Sequence, residues 1–161
     1  MEKKFTHIDE SGNPSMVDVG AKKNSQRVAK AHSIVLLDAK ILEHLEKDEI
    51  HTKKGPVFQT AIIAGVMAAK KTGELIPLCH PLGLENCQIH ISINERKEVV
   101  VICTVSLFGK TGVEMEALTG ASVAALTIYD MCKAFSHHII IQETRLLEKT
   151  GGKKDFFLRE S

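Results

Sequence analysis

The sequence predicts an α+β sandwich, an antiparallel sheet with helices on one face, and three features carry that expectation. Two stretches, 89–93 and 99–107, are rich in Ile and Val at strand period and are separated by a short polar turn. Two others, 57–71 and 113–135, are Ala-rich, helically spaced and too long for strands. Apolar runs, Ile34-Val35-Leu36-Leu37 and Ile139-Ile140-Ile141, precede the first helix and follow the second. The order strand, helix, strand, strand, helix, strand is that of a ferredoxin-like (βαββαβ) fold. That scaffold hosts many functions, so function must be read from its polar residues.

Each element has its own warrant. Residues 1–26 are polar and hold the turn signal Ser11-Gly12-Asn13-Pro14, which predicts an irregular, mobile arm. Residues 27–37 form the first strand. Asp38 is placed to cap a short extra helix with Ile41, Leu42 and Leu45 on one face, ending before Lys47. Gly55-Pro56 opens the helix 57–71, with Pro suited to its first turn and Gly73 to its stop, while Val57, Ala61, Ala64 and Ala68 give it a small-residue face. Pro77, Pro81 and Gly83 exclude helix from 75–84, so Leu78-Cys79-His80 belongs to a rigid connection of the kind that commonly carries chemistry. Asn94 to Glu98 turns one strand into the next, and Phe108 to Gly112 turns the second into the longest helix. A last strand, 139–147, leads into a polar tail, 149–161, and the 161 residues are expected to make one domain.

Composition removes several classes. Lys plus Arg number 21 and Asp plus Glu 20, a net charge of +1, so no basic field advertises nucleic acid and any anion site must be local. Aromatics are 4% with no Trp, which leaves few platforms for stacking bases. No apolar run reaches the roughly 18 residues of a bilayer span. The opening Met1-Glu2-Lys3-Lys4-Phe5 lacks an apolar signal stretch, and Cys79, Cys87, Cys103 and Cys132 form no C-x-x-C pair. A cytoplasmic protein with thiols mostly in its core, without structural zinc, is the expectation.

Four polar groups stand on otherwise apolar patterns. Lys53-Lys54 precede a helix N-terminus, where an anion would be favoured, although taken alone a solvated loop with ordinary lysines accounts for them better. His80 suits a phosphate donor or acid/base group, or a structural hydrogen bond. Gly109-Lys110-Thr111-Gly112 lacks the spacing of a nucleotide-hydrolase P-loop. After it, Glu114 and Glu116 share a face only if extended and point apart if helical. Asp130 and Lys133 are neighbours on a helix surface, either a plain ion pair or, partly desolvated by the run before Asp130, a proton-transfer pair. Glu116 and Asp130 are 14 residues apart, about 21 Å along a helix. One small substrate could meet both only across subunits.

The segments Leu75-Ile76-Pro77-Leu78-Cys79-His80-Pro81-Leu82, Gly109-Lys110-Thr111-Gly112-Val113-Glu114-Met115-Glu116 and Ala124-Ala125-Leu126-Thr127-Ile128-Tyr129-Asp130-Met131-Cys132-Lys133, together with Phe5-Thr6-His7-Ile8, Met16-Val17-Asp18-Val19 and Lys149-Thr150-Gly151-Gly152-Lys153, resemble the MoaC family of molybdenum cofactor biosynthesis over nearly the whole chain. The resemblance implies a cyclic pyranopterin monophosphate synthase, a lyase turning 3′,8-cyclo-7,8-dihydro-GTP, supplied by a radical-SAM GTP cyclase, into cyclic pyranopterin monophosphate and pyrophosphate. It implies a homohexamer, a trimer of dimers with the active site at a dimer interface. It assigns catalysis to Asp130 and Lys133, and substrate binding to Leu78, Cys79, His80, Met115 and Glu116, with Glu114, Arg27, Lys54 and Lys149 completing the pocket. No cofactor is required on this reading; a divalent cation could accompany the triphosphate. Neighbouring cations are expected to lower the pKa of Lys133. Ile62 stands where the family often has arginine, Pro56 where an acidic or amide residue is common, and the tail after Lys153 is shortened to Lys154. The alternative is a non-catalytic ferredoxin-like module that binds an anionic metabolite.

Overall fold

A computed structural model describes residues 7–159. Phe5 and Thr6 of the first motif, the rest of the arm's opening and the last two tail residues lie outside the described residues. The elements are β1 (Ser25–Leu36), α1 (Ala39–Leu42), β2 (Leu45–Glu46), β3 (Glu49–Thr52), β4 (Gly55–Pro56), α2 (Val57–Lys70), α3 (Thr72–Leu75), β5 (Asn86–Ile93), β6 (Val99–Gly109), α4 (Glu114–Cys132), β7 (Ile140–Thr150) and β8 (Phe156–Phe157).

β1 is the centre of the main sheet, whose order is β5-β6-β1-β7-β8, with every adjacent pair antiparallel. Without β8, this is the ferredoxin-like arrangement expected from the element order. Period-two alternation turns Ala29, Ala31, Ser33 and Val35 of β1 and Val99, Val101, Cys103 and Val105 of β6 towards α2 and α4, where all eight are fully buried. Because three of the four β1 residues are small, α4 lies close against the central strand, burying Ala117, Ala121, Ala124, Ala125 and Ile128.

The helices are packed as closely to each other. A Cβ on Gly65 of α2 would stand 2.7 Å from the Gly120 carbonyl of α4, and one on Gly120 would stand 2.6 Å from Cys103 Sγ. Only glycine permits this approach.

The structure departs from the sequence reading at several ends. β1 starts two residues earlier, and Leu45 leaves the expected short helix to pair with Ile50 in a small β2-β3-β4 sheet. Asp38 does cap α1, its carboxylate accepting from Lys40 N at 2.7 Å. Pro56 occupies the cap position of α2 and offers no side-chain acceptor. Buried Glu49 supplies it from β3, with Oε1 accepting from Phe58 N at 2.8 Å and Oε2 from Gln59 N at 3.1 Å. Gly73 does not stop α2 but sits inside α3. Lys149 and Thr150, expected in the tail, extend β7, and the tail returns as β8.

A methyl group at the helix crossing must move backbone, so Gly65→Ala is expected to destabilise the fold by about 2–3 kcal/mol in chemical denaturation. A loss under about 1 kcal/mol would contradict the close crossing.

Candidate active site

The polar residues singled out from the sequence fall into two groups at opposite ends of α4. At its C-terminal end, Asp130 is held between two ammonium groups. Lys133 Nζ lies 2.8 Å from Oδ1, and Lys54 Nζ lies 2.9 Å from Oδ2 and 3.3 Å from the Asp130 carbonyl. Lys54 arrives from the β3–β4 turn, where Thr52 Oγ1 accepts from Lys54 N at 3.1 Å. The apolar run before Asp130 does not desolvate it, since its side chain is 54% exposed. Helical periodicity turns Ile128 and Met131 into the core and leaves Asp130 outside. The hydrogen bonds from Lys133 and then Lys54 pull the Asp130 carboxyl down to about 2. The same bond, with the charge of the carboxylate, raises the Lys133 pKa, contrary to the expected lowering, because Asp130 outweighs the small opposing effect of desolvation.

At the N-terminal end the backbone is helical, so Glu114 and Glu116 point apart. Glu114 Oε1 pairs with Lys149 Nζ of β7 at 2.7 Å. Glu116 is 4% exposed and lines a cavity of about 340 Å³ with Ala69, Lys70, Gly73, Pro81 and Leu82. Burial pushes its carboxyl up, with a smaller contribution from the Glu114 charge. Cys79 is half-buried nearby, its thiol pushed up by burial and by the Glu116 charge. His80 Nε2 donates to the Val17 carbonyl at 2.8 Å, and Met115 and half-buried Leu78 flank this end. Arg27 spends two of its donors on the turn after β6, Nε to the Gly109 carbonyl and Nη2 to the Lys110 carbonyl, both at 3.1 Å.

Between these elements opens a cavity of about 900 Å³, where Lys22, Lys23, Arg27, Lys110, Lys149, Lys153 and Lys154 face two carboxylates, Glu114 and Asp155. Five of these cations were not singled out as site residues from sequence. Lys22-Lys23 precede β1 and Lys153-Lys154 follow β7, so the antiparallel pairing brings two distant lysine pairs to one sheet end. Among the described residues no group of three or more His, Cys, Asp or Glu could hold a metal ion, and no helix is long and apolar enough to cross a membrane. Within a single chain, Asp130, Lys133 and Lys54 stand apart from His80, Glu114, Glu116 and Lys149.

Fold and cavity together define an α+β protein with a cation-lined pocket suited to a polyphosphate. The MoaC family model matches residues 16–152, and the chain belongs to the MoaC family. It is 55% identical over 155 residues to the molybdenum cofactor biosynthesis bifunctional protein of Synechocystis sp., covering 94% of this chain and 45% of that protein. It spans less than half the length of that relative. It is 49% identical over 152 residues to the cyclic pyranopterin monophosphate synthase of Xanthomonas campestris pv. campestris, covering 94% of this chain and 92% of that one. Molybdenum cofactor biosynthesis protein 1 of Dictyostelium discoideum is 49% identical over 166 residues, covering 92% of this chain and 26% of that protein.

The raised Glu116 pKa carries a sign. The proton stabilises the native state, and this contribution is lost as pH rises from the ordinary value of 4.5 through the raised folded value. Thermal unfolding of Glu116→Gln should therefore lose less stability than the wild type over that window. Parallel curves for the two proteins would show that Glu116 titrates normally.

Proposed function

We propose that the chain is a lyase of molybdenum cofactor biosynthesis, converting 3′,8-cyclo-7,8-dihydro-GTP into cyclic pyranopterin monophosphate and pyrophosphate. The observation that carries the proposal is the cation-lined cavity, sized for a nucleotide-derived triphosphate, in a chain 49% identical to a full-length relative of that name. Cations at its rim suit the phosphates, and Glu114 can accept from a guanine-derived N–H edge. When the cyclic phosphate closes, a sugar hydroxyl attacks the α-phosphorus, the bond to the bridging oxygen breaks and pyrophosphate leaves. The hydroxyl proton needs an acceptor and the ring rearrangement needs a donor. Asp130, held ionised, is the acceptor, and Lys133, held as ammonium, is the donor.

The site is shared between two copies. Met115, Thr119, Ser122, Leu126, Asp130 and Lys133 recur at three- and four-residue steps on the outer face of α4, and Leu126 is 57% exposed. Antiparallel pairing of this face with its copy about a two-fold axis near Ser122 sets Asp130 and Lys133 of one copy beside the Glu116 end of the other. Three such dimers make the hexamer. The substrate comes from a radical-SAM GTP cyclase in the cytoplasm, and no resident cofactor is required, although a divalent cation can ride on the triphosphate. A non-catalytic metabolite binder is the second reading, favoured by one observation: a Lys133 pKa raised by Asp130 makes a poor base. Acting as an acid, Lys133 needs only to start protonated, which the Asp130 carboxylate ensures at some expense of acid strength.

Purified protein given enzymatically made 3′,8-cyclo-7,8-dihydro-GTP should release pyrophosphate and the pyranopterin, and Lys133→Ala and Asp130→Asn should each lose about 10²–10⁴ in rate. Binding without either product would leave only the binder.

The shared site makes a separate demand. Lys133→Ala and His80→Ala, each inactive alone, should recover about a quarter of the wild-type sites when refolded together, because half the dimers are mixed and each mixed dimer has one intact site. No recovery would place the whole site in one copy.

A further inference from the structure

The arm before β1 reaches the cavity without forming a regular element. Among the described residues, two hydrogen bonds tie residues 16–23 to the rest of the fold. His80 Nε2 donates to the Val17 carbonyl at 2.8 Å, and Lys110 Nζ donates to the Gly20 carbonyl at 2.7 Å. Between and after these points the arm is shaped locally, by Asp18 Oδ1 accepting from Gly20 N at 2.7 Å and by the Val19 carbonyl accepting from Lys22 N at 3.1 Å. Lys22 and Lys23, the next residues, line the cavity.

Lys110 is a residue one would assign to the anion, since it stands between two glycines in a turn at the cavity rim. Its ammonium is committed elsewhere. The turn that carries it is itself held from below, because Arg27 donates to the carbonyls of both Gly109 and Lys110. A charged donor on a fixed base thus grips a carbonyl of an otherwise weakly attached segment.

We infer that Lys110 is a positioning residue that clasps the arm at Gly20 and so sets Lys22 and Lys23 at the cavity for a polyphosphate, without itself binding the anion. The inference rests on the proposed polyphosphate site for its purpose, though the clasp can be measured apart from it.

Lys110→Met keeps the stem and removes the donor, and Lys110→Arg restores one. Loss of a charge-assisted hydrogen bond should quicken trypsin cleavage after Lys22 and Lys23 by about tenfold in Lys110→Met. Cleavage after Lys97, in the exposed β5–β6 turn, should not change, and Lys110→Arg should behave as wild type. Inorganic pyrophosphate, titrated calorimetrically, should bind about fivefold more weakly to Lys110→Met. In a Lys22→Met/Lys23→Met background the same substitution should cost nothing further, because its effect runs through those lysines. Unchanged cleavage of the arm, or equal acceleration at Lys97, would overturn the clasp. A loss that adds fully to that of the arm lysines would show instead that Lys110 touches the anion. If wild type fails to bind pyrophosphate, the polyphosphate reading falls, and the clasp is then judged on the cleavage pattern alone.

Discussion

The structure depends on how closely α4 lies against the central strand and against α2. Small side chains at Ala29, Ala31 and Ser33, and bare backbone where Gly65 meets Gly120, remove the bulk that would hold the layers apart. The helix is consequently a fixed rod, with its inner positions buried from Ala117 to Cys132. Polar residues remain only at its ends and along its outer face. That placement, made by packing, separates Glu114 and Glu116 from Asp130 and Lys133 more firmly than a loop could.

The two ends are chemically unlike because their solvation is unlike. At the C-terminal end, two half-exposed ammonium groups flank one carboxylate, and an exposed triad of this kind adds little to stability while holding Asp130 ionised and Lys133 protonated. At the N-terminal end, Glu116 is drawn into a small cavity, where the absence of water rather than a partner sets its proton affinity. Glu114, one turn position away on the other side of the helix, keeps a lysine and shares a wide, strongly cationic space. Neutral overall composition conceals this: the lysines that line the cavity are gathered where strand ends converge.

The sequence made the sandwich legible because its signals are periodic. Alternating Ile and Val in β5 and β6, the Ala-rich helices and the Asp38 cap need only local reading. Missed features depend on contacts between distant residues. Glu49 reads as an ordinary charge until the fold brings it to the start of α2, and Leu45 continues a helical pattern until Ile50 pairs with it. The family motifs marked Asp130, Lys133, His80 and Glu116, but not their solvation. An apolar run beside Asp130 suggests burial only when the helical turn that exposes residue 130 is ignored. Lys22, Lys23 and Lys154 belong to no motif, Lys153 only ends one, and the four become a group through the pairing of β1 with β7.

That convergence also explains why both flanking segments are anchored by backbone rather than by burial. Gly151, at φ 85°, carries a carbonyl that accepts from Ser25 Oγ at 2.7 Å, and a Cβ there would strike the Gln26 carbonyl. The turn after β7 is thus pressed against the start of β1 and admits only glycine. Across the cavity, Gly20 is gripped through its carbonyl by Lys110. Carbonyl contacts of this kind fix where a segment runs while leaving its side chains uncommitted, so the lysine pairs that follow Gly20 and Gly152 face the cavity instead of packing into the fold. Burying those segments would have secured them more strongly, but at the cost of desolvating the cations that face the cavity.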